Sequence, residues 1–242
     1  MNKEEQEHKI IDYKTKLYKK ENLEIGIGLN QVDNLKPSNY FYKAVNESKT
    51  YSEIEDKLKA YYATKDLNDS KIRAEKECDI VATRIAQAIE ENHFQLSPAA
   101  LKVIHKKLFS EVFSQINEKY VGIFRDYNIE KAEPILCGES VHYGQYDEMV
   151  EYLNYDFETE SNKNYALISK EQWSKNVANF ISNIWGIHPF AEGNTRTTAV
   201  FTIKYLRNKN IPCDNTLSKE HSKYFRNALV LANYGNVSKI KN

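Results

Sequence analysis

A histidine, a carboxylate, a glycine, an amide and an arginine fall within nine residues, His188-Pro189-Phe190-Ala191-Glu192-Gly193-Asn194-Thr195-Arg196. The imidazole of His188 titrates near neutrality and suits a general base. The Glu192 carboxylate suits a Mg²⁺ ion held beside phosphates. If a helix starts at Gly193-Asn194-Thr195, its first backbone N–H groups make an anion cradle, and glycine lets a phosphate approach closely. Arg196 in a first helical turn opposes the helix dipole, and a phosphate partner would account for it. Taken singly, these residues read as a helix cap, a first-turn acid, a turn and a surface charge. Phe190 reads as a core anchor. Their combination describes phosphoryl or nucleotidyl transfer at the start of a helix.

Two apolar stretches must position that loop. Residues Glu171 to Trp185 carry Trp173, Val177, Phe180, Ile181, Ile184 and Trp185 at helical spacing. Pro189 disfavours helical geometry at His188, so this helix is expected to end near Gly186. A second helix is expected from about Gly193-Asn194 through the apolar run Thr197 to Leu206. Upstream, Ser97-Pro98 marks a helix start, serine as cap and proline in the first turn, with Leu101, Ile104 and Leu108 as its buried face. Ile80, Val81, Ile85, Ala88 and Ile89 form another stripe, ending near Asn92. Ser169-Lys170-Glu171-Gln172 reads as a capping box. Tyr120 to Tyr143 mixes Val, Ile, Phe and Tyr with Gly122, Pro134 and Gly138, and is expected to be a β-hairpin or extended segment. Met149, Val150 and Leu153 resume helical spacing. A last helix is expected from Thr216 or Ser218.

The first part of the chain reads differently. Residues 1–35 are expected to be an arm of moderate order, with a thin helix over Glu4 to Glu21 and a break at Gly26 and Gly28. Two short helices, about Ser38–Glu47 and Ser52–Tyr62, are expected to pack as a hairpin, and Thr64–Ser70 reads as a linker. The division expected is an N-terminal arm and hairpin over 1–70 and a main domain over 71–242.

The whole suits a helical protein with a sizeable core, since 41% of its 242 residues are hydrophobic. Lys+Arg and Asp+Glu both total 34, which argues against a general nucleic-acid binder, for that needs excess basic charge. Cys78, Cys137 and Cys213 are scattered, with no CxxC pair, as expected of reduced thiols in a cytoplasmic protein. No signal peptide and no apolar run near 18 residues is found, so no membrane partner is expected.

The nine-residue stretch resembles the signature of the Fic (filamentation induced by cAMP) family, HxFx(D/E)GN(G)R, and the similarity extends over about residues 71–235. The resemblance implies an all-α fold with a small β-hairpin flap beside the active-site loop. It implies a bacterial, cytoplasmic, Mg²⁺-dependent transferase that moves AMP from ATP to a hydroxyl side chain of a target protein. By position, His188 would be the base and Glu192 the Mg²⁺ ligand. Gly193, Asn194 and Thr195 would cradle phosphate, the Asn194 side chain included, and Arg196 would pair with the distal phosphates. Leu136, Ser140, Val141, His142 and Tyr143 would form the flap, docking a target segment by strand addition. Ser140, His142 and Tyr143 also read as ordinary turn and strand residues. Two departures stand out. Thr195 replaces a second glycine, and no second arginine, which many members carry further along this helix, follows in the stretch through Thr198. The alternatives kept open are a catalytically weak binding partner or antitoxin, and a transferase using another nucleotide or phosphate-containing donor. The family's inhibitory pattern, (S/T)xxxE(G/N), has only near matches, at Ser114 to Lys119 and Thr216 to His221, so self-inhibition by that route is not expected. The hairpin at 38–62 resembles an antitoxin-like segment of some members. A C-terminal regulatory segment is expected to be absent or separately encoded.

Overall fold

The computed structural model describes residues 17–113, 118–213 and 221–235. Among these the protein is all-helical. The α-helices are α1 (Lys20–Asn30), α2 (Asn39–Asn46), α3 (Tyr51–Tyr62), α4 (Ser70–Glu90), α5 (Pro98–Phe109), α6 (Met149–Ser161), α7 (Lys170–Ile187), α8 (Asn194–Asn208) and α9 (Ser222–Asn233). No described helix is long and apolar enough to cross a membrane. Residues 4–16 of the expected first helix, and the expected start of the last helix at Thr216 or Ser218, lie outside the described residues.

Local chemistry sets most helix starts. Ser38, Thr50, Ser97 and Ser169 each accept a hydrogen bond from a backbone N–H three residues on, which satisfies a group the helix itself leaves unpaired. Ser169 is capped in one direction only. The Gln172 side chain turns to Asn176 rather than back to the cap, so the box is half formed.

The helix α4 separates two apolar cores. Val81, Ile85, Ala88 and Ile89 join the larger one, with Leu101, Leu108, Phe109, Trp185, Phe190, Val200 and Phe201. Ile80, Ala82 and Ala86 join a smaller one, with Phe41, Val45, Ile54, Leu58 and Tyr62 of the α2–α3 hairpin. At the hairpin's base the buried Asp79 carboxylate accepts from Ser38 N and Oγ and from the Tyr62 hydroxyl.

Two expectations fail here. Gly26 and Gly28 do not break the chain; both are buried inside α1. A Cβ on Gly26 would stand 2.3 Å from the Ala82 carbonyl oxygen, so this glycine lets α1 lie directly on α4. Gly26→Ala gains helix propensity but forces the two helices apart. A net loss of about 1–2 kcal/mol is expected, a fall of several degrees in melting temperature. A variant as stable as the wild type would contradict the close approach.

The second failure is the hairpin. No strand forms among the described residues, and the β-flap is replaced by an irregular loop. Pro134 offers no N–H to a ladder, and residues 134–136 instead make a 3₁₀ turn closed by Cys137 in the left-handed region (φ 53°). Glu133 N–H reaches Glu139 O at 3.0 Å, but the next pairing up the loop runs from Lys131 N–H to the Ser140 hydroxyl, 3.1 Å. A side chain has taken the place of a ladder carbonyl.

Candidate functional site

The loop of residues 188–193 joins the end of α7 to the start of α8, and its shape is fixed from four sides. His188 caps α7 in the left-handed region (φ 54°, ψ 60°), where Pro189 prevents a further helical turn. Arg125 holds this corner. It is almost fully buried, and its guanidinium donates to four backbone carbonyls: His188 O at 2.8 Å, Ile187 O at 3.1 Å, Tyr127 O at 2.5 Å, and Gly144 O. Its own N–H donates to Pro189 O at 2.9 Å. A cation at a helix C-terminus satisfies carbonyls that the helix leaves open. Burial pulls the Arg125 pKa down from its ordinary value.

The second side is His105 of α5. Its ring stacks on Phe190 with centroids 3.9 Å apart. Gly122 N–H donates to Nδ1 at 2.9 Å, so Nε2 carries the proton and donates to Glu192 O, also 2.9 Å. Burial holds this histidine down at about 4. The third side is Asn194, whose amide closes the loop on itself. Its Oδ1 accepts from Phe190 N at 2.8 Å and its Nδ2 donates to Phe190 O at 2.7 Å. The side chain expected on a phosphate is thus spent on the loop backbone. The fourth is Phe109, packed against Gly193. That glycine sits at φ 74°, and a Cβ there would lie 2.5 Å from the Phe109 ring. No side chain caps the start of α8, which leaves its opening N–H groups without a side-chain acceptor.

Within this frame the His188 ring is buried between Tyr143, at 4.1 Å between centroids, and Trp185, at 5.2 Å. Nδ1 lies 3.2 Å from Trp185 O. A carbonyl only accepts, so Nδ1 carries the proton and Nε2 keeps the lone pair. Burial, and then the positive charge of Lys131, lower its pKa well below the ordinary histidine value. The geometry is that of a neutral base with one assigned tautomer. Thr195, where a second glycine is common in the resembling signature, accepts the Trp185 indole N–H at 3.0 Å. That buried indole needs an acceptor, which glycine would not supply.

Both histidines are neutral in the fold and protonate more readily once unfolded. Between their lowered folded pKa and about 6.5, the unfolded state binds more protons, so stability falls as the pH drops. By pH 5 His105 should cost about 2 kcal/mol, at ~1.4 kcal/mol per pH unit, and His188 shifts stability in the same direction. Chemical denaturation at pH 7 and pH 5 measures this; equal stabilities would contradict the buried neutral rings.

Arg196 has partners already. It is buried over the Phe109 ring, with Nη2 at 2.6 Å from Glu77 Oε1, Nη1 at 3.0 Å from Asn30 Oδ1, and Nε at 2.9 Å from Asp33 Oδ2, out of line for a hydrogen bond. Asp33 also reaches Arg226 of α9 at 3.5 Å, and Arg226 grips both oxygens of the buried Glu133 at 3.0–3.1 Å. Glu133 Oε1 accepts from the Tyr143 hydroxyl at 3.2 Å. One chain of polar contacts therefore runs from the N-terminal helices, through α9 and the loop, to the ring that covers His188.

Of the five expected flap residues, Leu136, Val141 and Tyr143 are buried in the main core, Ser140 is half-buried and bonds Lys131, and only His142 is exposed. Glu192 is the sole motif carboxylate. Among the described residues no group of three or more His, Cys, Asp or Glu side chains could hold a metal. A Mg²⁺ ion held at Glu192 would therefore have one carboxylate of this motif, a donor set that suits an ion whose other ligands are phosphate and water oxygens.

His105, Arg125 and the acidic partners of Arg196 carry no local sequence signal of this role. The nearest hint is the position of His105 beside Ile104, between Leu101 and Leu108 on the buried face of α5. In comparison with known proteins, residues 95–206 match the family described as Fic/DOC family. No curated protein matches the chain.

Proposed function

From the match of residues 95–206 to the Fic/DOC family, we propose that this chain is a protein adenylyltransferase, moving AMP from ATP to a hydroxyl side chain of a target protein. The observation that carries this reading is the neutral, tautomer-fixed His188 next to the uncapped start of α8. In the reaction Nε2 of His188 takes the proton of the target hydroxyl. The hydroxyl oxygen forms a bond to the α-phosphorus, the bond from that phosphorus to the β-phosphate oxygen breaks, and pyrophosphate leaves. The α8 N–H groups face the phosphate charge that builds up in this step. Glu192 would hold Mg²⁺, which would supply charge neutralisation between neighbouring phosphates. The exposed face of the 130–143 loop, beside His188, is the side from which a target segment enters.

Arg196 favours a qualification of this reading. Its charge is met by Asp33 and Glu77, so it braces α8 against the N-terminal helices, and the distal phosphates rely on other groups. A transferase of another phosphate-containing group shares the same base and cradle. Incubation with a bacterial lysate, Mg²⁺ and ATP labelled on either the α- or the γ-phosphate separates them. Protein labelling from the α-labelled ATP alone is expected. Labelling from the γ-labelled ATP would replace AMP transfer by phosphate transfer, and no labelling from any nucleotide would sink the enzyme reading.

A further inference from the structure

The carboxylate expected to meet a divalent ion already has a cation. Lys131 Nζ lies 3.0 Å from both oxygens of Glu192. The lysine is held at its base, where its backbone N–H donates to Ser140 Oγ, and that hydroxyl donates on to Val141 O at 2.9 Å. Its side chain is 28% exposed and that of Glu192 39%. An ion pair this open adds little to stability, so holding the fold together does not explain it. Lys131 is also the foremost of the positive charges acting on the His188 ring. The ammonium therefore touches the acid of the site and its charge is felt at the base, on a flexible stem, in contact with solvent. Lysine binds phosphate as a point charge and changes partner without the planar fit that arginine demands.

We infer that Lys131 is a phosphate-binding residue of this site. It rests on Glu192 when the site is empty and turns to the nucleotide's phosphate when one enters, which frees the Glu192 carboxylate for the ion that the nucleotide brings. The inference rests on the nucleotide-transfer reading above. It assigns to an internal cation part of the phosphate binding that Arg196, buried against Asp33 and Glu77, does not provide.

Calorimetric titration with ATP, in EDTA and again in Mg²⁺, tests it on the full chain. The wild type binds ATP in EDTA. Lys131→Met, which keeps the stem and removes the charge, binds about 10- to 100-fold more weakly there, and Lys131→Arg restores most of the loss. Glu192→Gln removes the resting partner and leaves ATP binding in EDTA equal or tighter. Unchanged binding by Lys131→Met and Lys131→Gln in EDTA overturns the inference and leaves the lysine as a tether of Glu192. A wild type that binds ATP in neither buffer overturns the parent reading and this inference together.

Discussion

Arg125→Met lowers the melting temperature by roughly 10 °C and takes the transfer activity with it. The guanidinium serves four carbonyl oxygens drawn from three separate segments, α7 and its cap, residue 127 and residue 144. Methionine fills similar space and donates nothing. A buried carbonyl left without a donor costs about 1–3 kcal/mol. Against this stands the expense of burying a charge, which methionine avoids. The carbonyls outweigh it, for a net loss of about 4 kcal/mol, and a protein of this size loses about 2–4 °C per kcal/mol. Lysine should restore little of it, because one ammonium does not span acceptors spread around a planar fork. Activity falls further than stability predicts, since Arg125 is what holds His188 in its left-handed conformation. Thermal melting of both variants, with labelling assayed well below the melting point, measures the two effects separately. A methionine variant that melts with the wild type would remove Arg125 from this role.

His188→Asn should reduce transfer by about 10²- to 10⁴-fold, the usual worth of a positioned general base. Asparagine is the informative replacement. It tolerates the left-handed region, and its amide N–H₂ still reaches the Trp185 carbonyl, so the corner of the loop survives. It has no equivalent of Nε2. ATP binding should persist while label transfer is lost. A retained rate of transfer would show that the proton goes elsewhere. In the wild type the rate should hold as the pH falls through 6.5 and drop only in more acid solution, because the folded ring resists protonation.

How much of this was legible in the sequence follows how local each feature is. The ends of α5, α7 and α8 were readable because Ser97-Pro98, Ser169, His188-Pro189 and Gly193 act on their own neighbours. The order base, carboxylate, cradle and arginine was readable for the same reason. The helix α1 was not, because Gly26 looks like a breaker until Ala82 is placed against it. Nor was the loop that replaced the hairpin. Leu136, Val141 and Tyr143 are apolar because they enter the core, and that leaves the same pattern as a half-buried strand. The duties of His105, Arg125 and Asn194 depend on partners fixed by the fold, and those of Arg196 on residues far earlier in the chain.

That last distance has a consequence in time. Asn30 meets Arg196 across 166 positions, Asn22 meets Arg207 across 185 and Val32 meets Arg226 across 194. At 5–20 residues per second, a ribosome needs roughly eight to forty seconds to make the second half of each pair after the first. The N-terminal helices therefore emerge before the arginines that their amide and carbonyl oxygens will meet. Closure of such long loops is slow relative to local helix formation. The corner around Arg196 therefore cannot close until the C-terminal stretch that carries Arg196 and Arg226 has been made.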